Sequence, residues 1–232
     1  MGGFPDSTLT DWVNSLTTDG IEPIAGVVTI TGDVGKMNTV EGNHSLDLPA
    51  VVEFDGAGVF KKDRLIGFLS LEQTRLLLWL KNQVNETVYS TPCETSDDFI
   101  AGHIFHSNTS VESSYHAGVP HFNVTIVLEG EISDNQCGLP LDEVDTYERY
   151  EKLVSEQLTK DLHTLIEEIK SEFGVDILGF GEIFQRQQYP IFKKIKDDWN
   201  EQFTNSIIEI EVSTYVRRDG IRTRGFLQHV ND

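Results

Sequence analysis

The sequence predicts an α+β protein of two domains, each an antiparallel or mixed β-sheet with helices packed on it. The first supporting observation is a hairpin pattern that runs directly into a very apolar helix between positions 57 and 83. The second is that β-type patterning begins again after this helix, and the third is a long helical stripe over residues 144–173. The change of pattern predicts a smaller domain over residues 1–88 and a C-terminal domain over residues 89–232.

The hairpin and the apolar helix are predicted from short-range signals. Short β-like runs on both sides of the polar corner Lys61–Arg64 indicate a hairpin. Ser70 and Gln73 have the spacing of a capping box, in which the Ser oxygen accepts from a helix N–H and Gln73 reaches back, so a helix is predicted from Leu71. The run Leu76–Leu80 is apolar on every side but shorter than the ~20 residues that cross a bilayer. We therefore expect this helix to lie between two packed layers or domains.

The other elements of the first domain follow from the spacing of apolar residues. An amphipathic helix is predicted over residues 7–19, with Gly20 as its stop. Ile24–Ile30 is predicted to be a strand, and another strand begins at Ala50. The segment Gly32–Leu48 between them is rich in Gly, Asn and Asp, which predicts a long loop.

Three strands are predicted at the start of the second domain. Val84–Ser90 is followed by a Thr-Pro break, and Phe99–Phe105 is a second run. His121–Ile132 alternates apolar and polar side chains, so one of its faces should be buried. Residues 117–120 should form the turn that leads into it.

Helices are predicted to follow these strands. Apolar residues recur on one stripe of Val144–Phe173, and Gly174 should end this helix. A second helical stretch should begin at Asp176, break before Pro190 and continue to about Phe203.

The end of the chain carries a predicted strand, a predicted turn and a cluster of arginines. Ser206–Val216 has apolar residues on one face, and Asp219–Gly220 is a two-residue hairpin signal. Charges on an edge hairpin protect it from aggregation, which is the interpretation that we favour for the arginines. The alternative is a docking patch for an acidic partner or lipid headgroups. The cluster consists of Arg217, Arg218, Arg222 and Arg224.

The two cysteines, Cys93 and Cys137, are predicted to be free thiols. Neither belongs to a CxxC or metal-ligand pattern. In a simple antiparallel meander they follow the outer two of the three predicted strands, at the same edge of the sheet. The strand between them would separate their backbones by ~10 Å, which exceeds the ~7 Å limit between the Cα atoms of a disulfide.

Composition and charge exclude several classes of protein. A chain of 232 residues with 38% hydrophobic residues can bury a core, so disorder is not expected. The formal net charge of −20 and the pI of about 4.6 argue against nucleic acid as a partner and against adsorption to an anionic membrane. No apolar run reaches transmembrane length, and no signal peptide is visible.

No sequence pattern indicates a catalytic, cofactor or metal site, and we predict none of the three. His103 and His106 would point to opposite faces of a strand. His116 and His121 flank a turn and could pair across strands, but no carboxylate or Cys completes a ligand set. Gly179–Gly181 lacks the flanking residues of a phosphate loop, so we interpret it as a helix with small residues where another element packs closely. The adjacent carboxylates of so acidic a chain are expected to be solvated, and no GxSxG motif anchors a hydrolase triad.

Two ordered groups of motifs carry a family resemblance. The first group is Val59-Phe60-Lys61, then Asp63–Gly67, then Glu72 and Arg75 leading to Leu78-Trp79-Leu80. The second, far downstream, is Asp176–Gly181, Tyr189-Pro190 and Trp199–Phe203. Together they resemble the Ger(x)C family, the lipoprotein C subunits of nutrient germinant receptors in bacterial endospores.

The resemblance implies a non-enzymatic lipoprotein that acts with the membrane-embedded A and B subunits of a germinant receptor to trigger spore germination. It also implies a lipid anchor at the outer surface of the spore inner membrane. The family begins with a signal peptide, a lipid-modified Cys and a further domain, so the chain is expected to be a C-terminal portion without them. The alternative is a spore-envelope peptidoglycan hydrolase that uses dispersed carboxylates. Partner contacts are predicted for Phe60, Lys61, Arg75, Arg217, Arg218, Arg222 and Arg224.

Overall fold

The structure, a computed structural model, has two β-sheets and several helices among the residues that it describes, which confirms the α+β fold class. The described residues are Pro5, 8–37, 39–40, 48–93, 97–141 and 143–217. The first sheet is antiparallel and has the strand order β1-β2-β3. Its strands are β1 (Ile24–Gly32), β2 (Ala50–Lys61) and β3 (Arg64–Leu69), and its helices are α1 (Leu9–Thr17), the single turn α2 (Val34–Met37) and α3 (Leu71–Leu80).

The second sheet is mixed and has the order β4-β5-β6-β7. Its strands are β4 (Thr87–Pro92), β5 (Phe99–His116), β6 (Val119–Asn135) and β7 (Ile207–Val216). β6 and β7 are parallel, so the chain needs a crossover between them, and helices supply it. The crossover helices are α4 (Val144–Glu168) with the π-helical turn Ile169–Phe173, α5 (Phe180–Gln187), α6 (Tyr189–Ile195), the 3-10 turn Lys196–Asp198 and α7 (Trp199–Thr204).

Both predictions for the hairpin and the helix that follows it are confirmed. Lys61 pairs with Arg64 at the end of the β2–β3 hairpin, and Lys62 takes a left-handed φ of 56° in the turn. Ser70 Oγ accepts from the N–H of Gln73 at 3.2 Å, and Gln73 Oε1 accepts from the N–H of Ser70 at 2.8 Å. A complete capping box therefore fixes the start of α3.

α3 lies between the two sheets, as predicted for a helix without a polar face. Every side chain from Leu76 to Leu80 is buried, because β2 and β3 contact one side of the helix while β5 and α4 contact the others. Val59 and Leu69 of the first sheet belong to the same hydrophobic core as Ile126 of the second. The apolar core therefore runs through α3 from one sheet to the other. The domain boundary at residue 88 stays a prediction.

The long helix of the second domain is confirmed. α4 and its π-helical turn together cover Val144–Phe173, and Gly174 ends them in the left-handed conformation with φ of 61°. The buried stripe of α4 packs mainly on β7, with further contacts to β4 and α3. Its fully buried members include Val154, Leu158, Leu162 and Leu165.

Two strand and loop boundaries differ from the prediction. β5 continues to His116 and pairs with β6 along its length, where a strand had been predicted only to Phe105, because the added residues are mostly polar and give no strong apolar alternation. Only Ala117 and Gly118 form the turn, both at positive φ, so it is a two-residue hairpin turn. The loop predicted over Gly32–Leu48 contains the single helical turn α2, and part of it lies outside the described residues.

The prediction of free thiols is wrong, because Cys93 and Cys137 form a disulfide with their Cα atoms 5.6 Å apart. The cysteines do follow β4 and β6, the strands on either side of β5. β5, however, begins only at Phe99, so no described strand separates the two chain segments at the level of the cysteines. The N–H of Cys93 bonds to the carbonyl of Asp98, and that of Gln136 to the carbonyl of Phe99, which draws both segments over the start of β5.

Candidate functional site

The motif residues of the second group meet at a buried carboxylate. Asp176 lies in the loop between α4 and α5 and is 0% exposed. Its two oxygens accept hydrogen bonds of 2.8–3.3 Å from the main-chain N–H groups of residues 178–181. The indole Nε1 of Trp199 donates a further bond of 2.9 Å. The side chain thus fixes the loop before α5, which is why that helix begins at Phe180 and not at Asp176 as predicted.

Burial and hydrogen bonding act in opposite directions on the charge of Asp176. Burial raises the pKa of this carboxyl above its usual range, and the N–H donors of Trp199, Gly181 and Phe180 together with the Lys81 ammonium oppose the rise. If the carboxyl were protonated, its O–H would need an acceptor, whereas the hydrogen bonds to its oxygens all come from N–H donors. The hydrogen-bond donors around Asp176 therefore favour its carboxylate form, against the effect of burial.

Lys81, at the end of α3, supplies a nearby positive charge. Its Nζ donates to the carbonyl of Ile177 at 3.1 Å. Burial lowers the pKa of the Lys81 ammonium, while the carboxylates of Asp176 and Glu182 raise it in part. The helix that crosses the core is in this way tied to the Asp176 loop by charge as well as by packing.

A chain of hydrogen bonds connects the first sheet to the same loop. The main-chain N–H of Glu22, just before β1, donates to the carbonyl of Asp176 at 2.7 Å. Asn200 Oδ1 accepts from the N–H of Asp176 at 3.1 Å, and its Nδ2 donates to Glu22 Oε1 at 2.9 Å. The other oxygen of Glu22 accepts from the N–H of Lys62 in the β2–β3 turn at 2.6 Å. We call this set, Glu22, Lys81, Asp176, Trp199 and Asn200, the joint.

Glycine allows the chain to approach itself closely at the joint. A Cβ on Gly181 would lie 2.5 Å from Nε1 of Trp199 and would also collide with the main chain of Gly20. A Cβ on Gly20 would meet the main chain of Gly181 in return, at 2.8 Å from its carbonyl carbon. The interpretation of Gly179–Gly181 as a site of close packing is therefore confirmed.

A cleft of about 270 Å³ adjoins the joint, between α1 and the end of α3. Lys81 and Glu182 line it, together with Trp12 and other residues of α1, a helix with no buried residue. No His or Cys is among the described residues that line the cleft. The Ser15 hydroxyl there donates to the main-chain carbonyl of Asp11 at 2.9 Å. The cleft is therefore lined by polar and charged groups that could bind a ligand. The Ser15 hydroxyl is not paired with a side-chain base.

Two of the residues predicted to contact a partner make contacts within the chain. The ring of Phe60 packs edge-on against Trp12 of α1, with centroids 5.6 Å apart. Arg75 Nη1 donates to the carbonyl of Val88 at 3.2 Å, and its guanidinium lies 5.9 Å from the ring centroid of Tyr89. Both contacts join elements of this chain, so they explain these motif residues without a partner.

Of the remaining predicted contact residues, the structure describes Lys61 and Arg217. Lys61 is exposed at the end of β2. Arg217 holds both oxygens of Glu129, with N–O distances of 3.0 Å, just after β7. Arg218, Arg222 and Arg224, like the predicted turn Asp219–Gly220, lie outside the described residues. Of the predicted contact residues that the structure describes, Lys61 and Arg217 lie on different sheets.

The four histidines between residues 103 and 121 lie on β5 and β6. His103 Nε2 lies 2.6 Å from Glu86 and its Nδ1 lies 3.5 Å from Glu131. The rings of His116 and His121 meet across the β5–β6 turn with centroids 5.4 Å apart, as the predicted cross-strand pair would. Within the described ranges, no group of three or more His, Cys, Asp or Glu residues could hold a metal ion. No described helix is both long and apolar enough to cross a membrane.

The joint itself could not be found from local sequence signals. Asn200 and Glu22 are 178 residues apart, and neither stands in a pattern that indicates their contact. The one available signal was the pairing of Asp176 with Trp199 and Asn200 in the second motif group. In the structure, these three residues of the second motif group are joined by hydrogen bonds.

Comparisons with known proteins agree with the motifs. The family described as "Spore germination B3/ GerAC like, C-terminal" matches residues 55–220, which is more than half of the chain. The chain is 23% identical over 224 residues to spore germination protein KC of Bacillus subtilis (strain 168), covering 96% of this chain and 55% of that protein. Spore germination protein B3 of the same organism is 23% identical over 164 residues, 69% of this chain and 43% of that protein.

A solved structure has a similar fold. The crystal structure of the GerBC protein matches with a TM-score of 0.72 at 20% identity, over 89% of this chain and 59% of that chain. The chain thus spans about half the length of the curated relatives that it matches.

Proposed function

We propose, because the chain belongs to the spore germination B3/GerAC-like family, that it serves as the C subunit of a spore nutrient germinant receptor. In this role it is non-enzymatic and acts with the membrane-embedded A and B subunits when nutrients trigger germination. The full-length protein is held by a lipid at the outer surface of the spore inner membrane.

The family match over residues 55–220 carries this proposal, because it spans both groups of motifs. Several motif residues that the structure describes support the architecture: Trp79 fills the core, and Asp176 fixes the joint. Motif residues that stabilise the fold, rather than line a catalytic site, are what we expect of a protein that presents a binding surface. This observation favours a subunit of an assembly over an enzyme.

Genetic replacement combined with purification tests the proposal. The gene for the full-length protein is deleted, and a tagged copy is returned in spores of the source organism. We expect loss of nutrient-triggered germination on deletion, its return with the tagged copy, and recovery of both the A and the B subunit on the tag from solubilised spore membranes. A tagged spore lipoprotein of another family is the control. Normal germination of the deletion strain with every nutrient tested, or a tag that recovers neither subunit, would refute the proposal.

A peptidoglycan turnover assay separates the proposal from the hydrolase alternative. We expect no turnover by the purified chain. Turnover that disappears when Glu182, one of the carboxylates that line the cleft, becomes Gln, and persists when the exposed Asp197 becomes Asn, would assign hydrolysis to the cleft. That result would replace the proposed role with the enzymatic one.

A further inference from the structure

Two oppositely charged side chains, Glu182 and Lys81, border the same part of the cleft between α1 and α3. A Cβ on Gly179 would lie 3.3 Å from Glu182 Oε2 and 3.9 Å from Lys81 Nζ, so both charged groups adjoin the space beside this glycine. Gly179 has a left-handed φ of 80° and no side chain that reaches into that space. The two charges interact, but no ion pair joins them directly in the described part of the chain.

Both charged groups can form further hydrogen bonds. Lys81 Nζ donates to the carbonyl of Ile177 at 3.1 Å, and its other N–H donors have no acceptor among the described residues. The Glu182 carboxylate, which is partly buried, has no donor among the same residues. Charged groups that are partly removed from water are stabilised by partners of opposite charge. A ligand that carries both charges would supply a partner to each.

The other carboxylates that line the cleft already have partners within the fold. Both oxygens of Glu22 accept hydrogen bonds, one within the joint and one from the β2–β3 turn. Asp11 accepts from the N–H and the hydroxyl of Thr8 at the start of α1. Among the described residues that line the cleft, Glu182 and Lys81 are therefore the charged groups that remain available to a ligand.

The rest of the lining limits the size and the polarity of the ligand. The volume of about 270 Å³ lies just below the ~300–1,000 Å³ of sites for drug-sized molecules, so the ligand is smaller than these. Trp12, Ile21 and Ile24 add apolar surface to the lining. Cδ1 of Ile21 would lie 3.2 Å from the same Cβ on Gly179, so apolar surface directly adjoins the two charges.

We propose that the cleft binds a small zwitterion, with an ammonium and a carboxylate close together and a short apolar body. The ligand ammonium pairs with Glu182, its carboxylate accepts from Lys81, and its body packs against Trp12, Ile21 and Ile24. A purely cationic ligand would be repelled by the Lys81 ammonium, and a purely anionic one by the Glu182 carboxylate. The proposal concerns the cleft alone and does not rest on the receptor role.

Three molecules of similar shape test the two ligand charges separately. Leucine carries both charges, isoamylamine lacks the carboxylate, and isocaproate lacks the ammonium. Isothermal titration calorimetry measures their binding to the 232-residue chain. We expect leucine to bind, and each of the other two molecules to bind ~10-fold or more weakly, because each leaves one charged group of the cleft unpaired.

Two variants assign each ligand charge to its partner. Glu182→Gln should bind leucine ~10-fold or more weakly, and should bind isocaproate, which has no ammonium, at least as tightly as the unchanged chain does. Lys81→Met should weaken leucine by a similar factor and bind isoamylamine at least as tightly. Glu209→Gln, an exposed change on β7 of the second sheet, is the matched control and should leave all three affinities unchanged. Circular dichroism establishes that each variant is folded.

The comparison of the three molecules on the unchanged chain decides the proposal even if a variant fails to fold. No binding of leucine, or equal binding of all three molecules, would overturn it. Tighter binding of isoamylamine or isocaproate than of leucine would replace the zwitterion with a ligand of a single charge. Leucine binding that either cleft variant leaves unchanged, or that Glu209→Gln weakens as much, would remove the site from the cleft. None of these outcomes bears on the receptor role, which is tested in spores.

Discussion

The two sheets of this chain are held by different kinds of contact. In the second sheet, every second side chain of β6 from Phe122 to Leu128 is buried against the crossover helices, and a disulfide closes one end. In the first sheet, Val59 and Leu69 reach the core, and beyond α3 the sheet relies on the polar contacts of the joint and leaves Val28, Ile30 and Val52 about half exposed. Packing therefore fixes the second sheet, whereas the position of the first depends largely on one buried loop.

Removal of the Asp176 carboxylate is the strongest way to test this difference. Asp176→Ala leaves several buried N–H groups without their acceptor and removes a negative charge near the Lys81 ammonium, so we expect the free energy of unfolding to fall by about 3–5 kcal/mol. Hydrogen exchange should rise first in β1 and in the β2–β3 hairpin, and later in β5 and β6. The exposed Asp197→Ala should change stability by about 0.5 kcal/mol or less. Equal exchange in both sheets would show that the joint does not hold the first sheet in particular.

Loss of the disulfide should act on the other sheet. A bridge across 44 residues restricts the unfolded chain, so the double variant Cys93→Ser/Cys137→Ser should be destabilised by about 2–4 kcal/mol in denaturant titration. Exchange should rise at the ends of β4 and β6 next to the bridge and stay unchanged in β1. A thiol titration of the unfolded, unreduced chain should find no free thiol, and two free thiols would contradict the bridge itself.

Two matched valines allow a direct comparison of the cores. Val59 in β2 and Val124 in β6 are both buried, and each Val→Ala variant should lose about 2 kcal/mol of stability. Val59→Ala should open mainly the first sheet in hydrogen exchange. Val124→Ala should raise the exchange of both sheets together, because β6 lies in the layer that the crossover helices share. If Val59→Ala raised the exchange of both sheets and Val124→Ala that of the second sheet alone, the stability of the second sheet would depend on the first.

The smallest expected effect is a dependence of stability on alkaline pH. Burial lowers the pKa of Lys81, so between its folded pKa and ~10.4 the unfolded chain binds more protons than the folded chain. The free energy of unfolding should therefore rise with pH in that window. Lys81→Met should reduce the rise without removing it, because burial also lowers the pKa of Lys170. The exposed Lys152→Met should leave the slope unchanged, and an unchanged slope in Lys81→Met would contradict the assignment.

Short-range signals predicted the elements of this fold more reliably than their contacts. The capping box of Ser70, the left-handed Gly174 and the alternation of β6 depend on neighbouring residues, and each is confirmed. The cysteine prediction failed because it assumed strands of equal extent, whereas β5 starts beyond the level of Cys93. The joint depends on which distant segments meet, and alternation alone could not tell that Val28 and Ile30 of β1 would stay exposed.

The parallel pairing of β6 with β7 has a consequence for the newborn chain. β7 is the last strand that the structure describes, and the stripe of α4 packs chiefly against it. During synthesis, β4 to β6 and α4 leave the ribosome well before Ile207 does. The buried stripe of α4 therefore stays exposed until β7 has been synthesised. Pairings between segments so far apart along the chain make a high contact order and slow folding. A chain stalled before residue 207 therefore presents an unsatisfied helix and a sheet edge together, the kind of species that chaperones and proteases recognise.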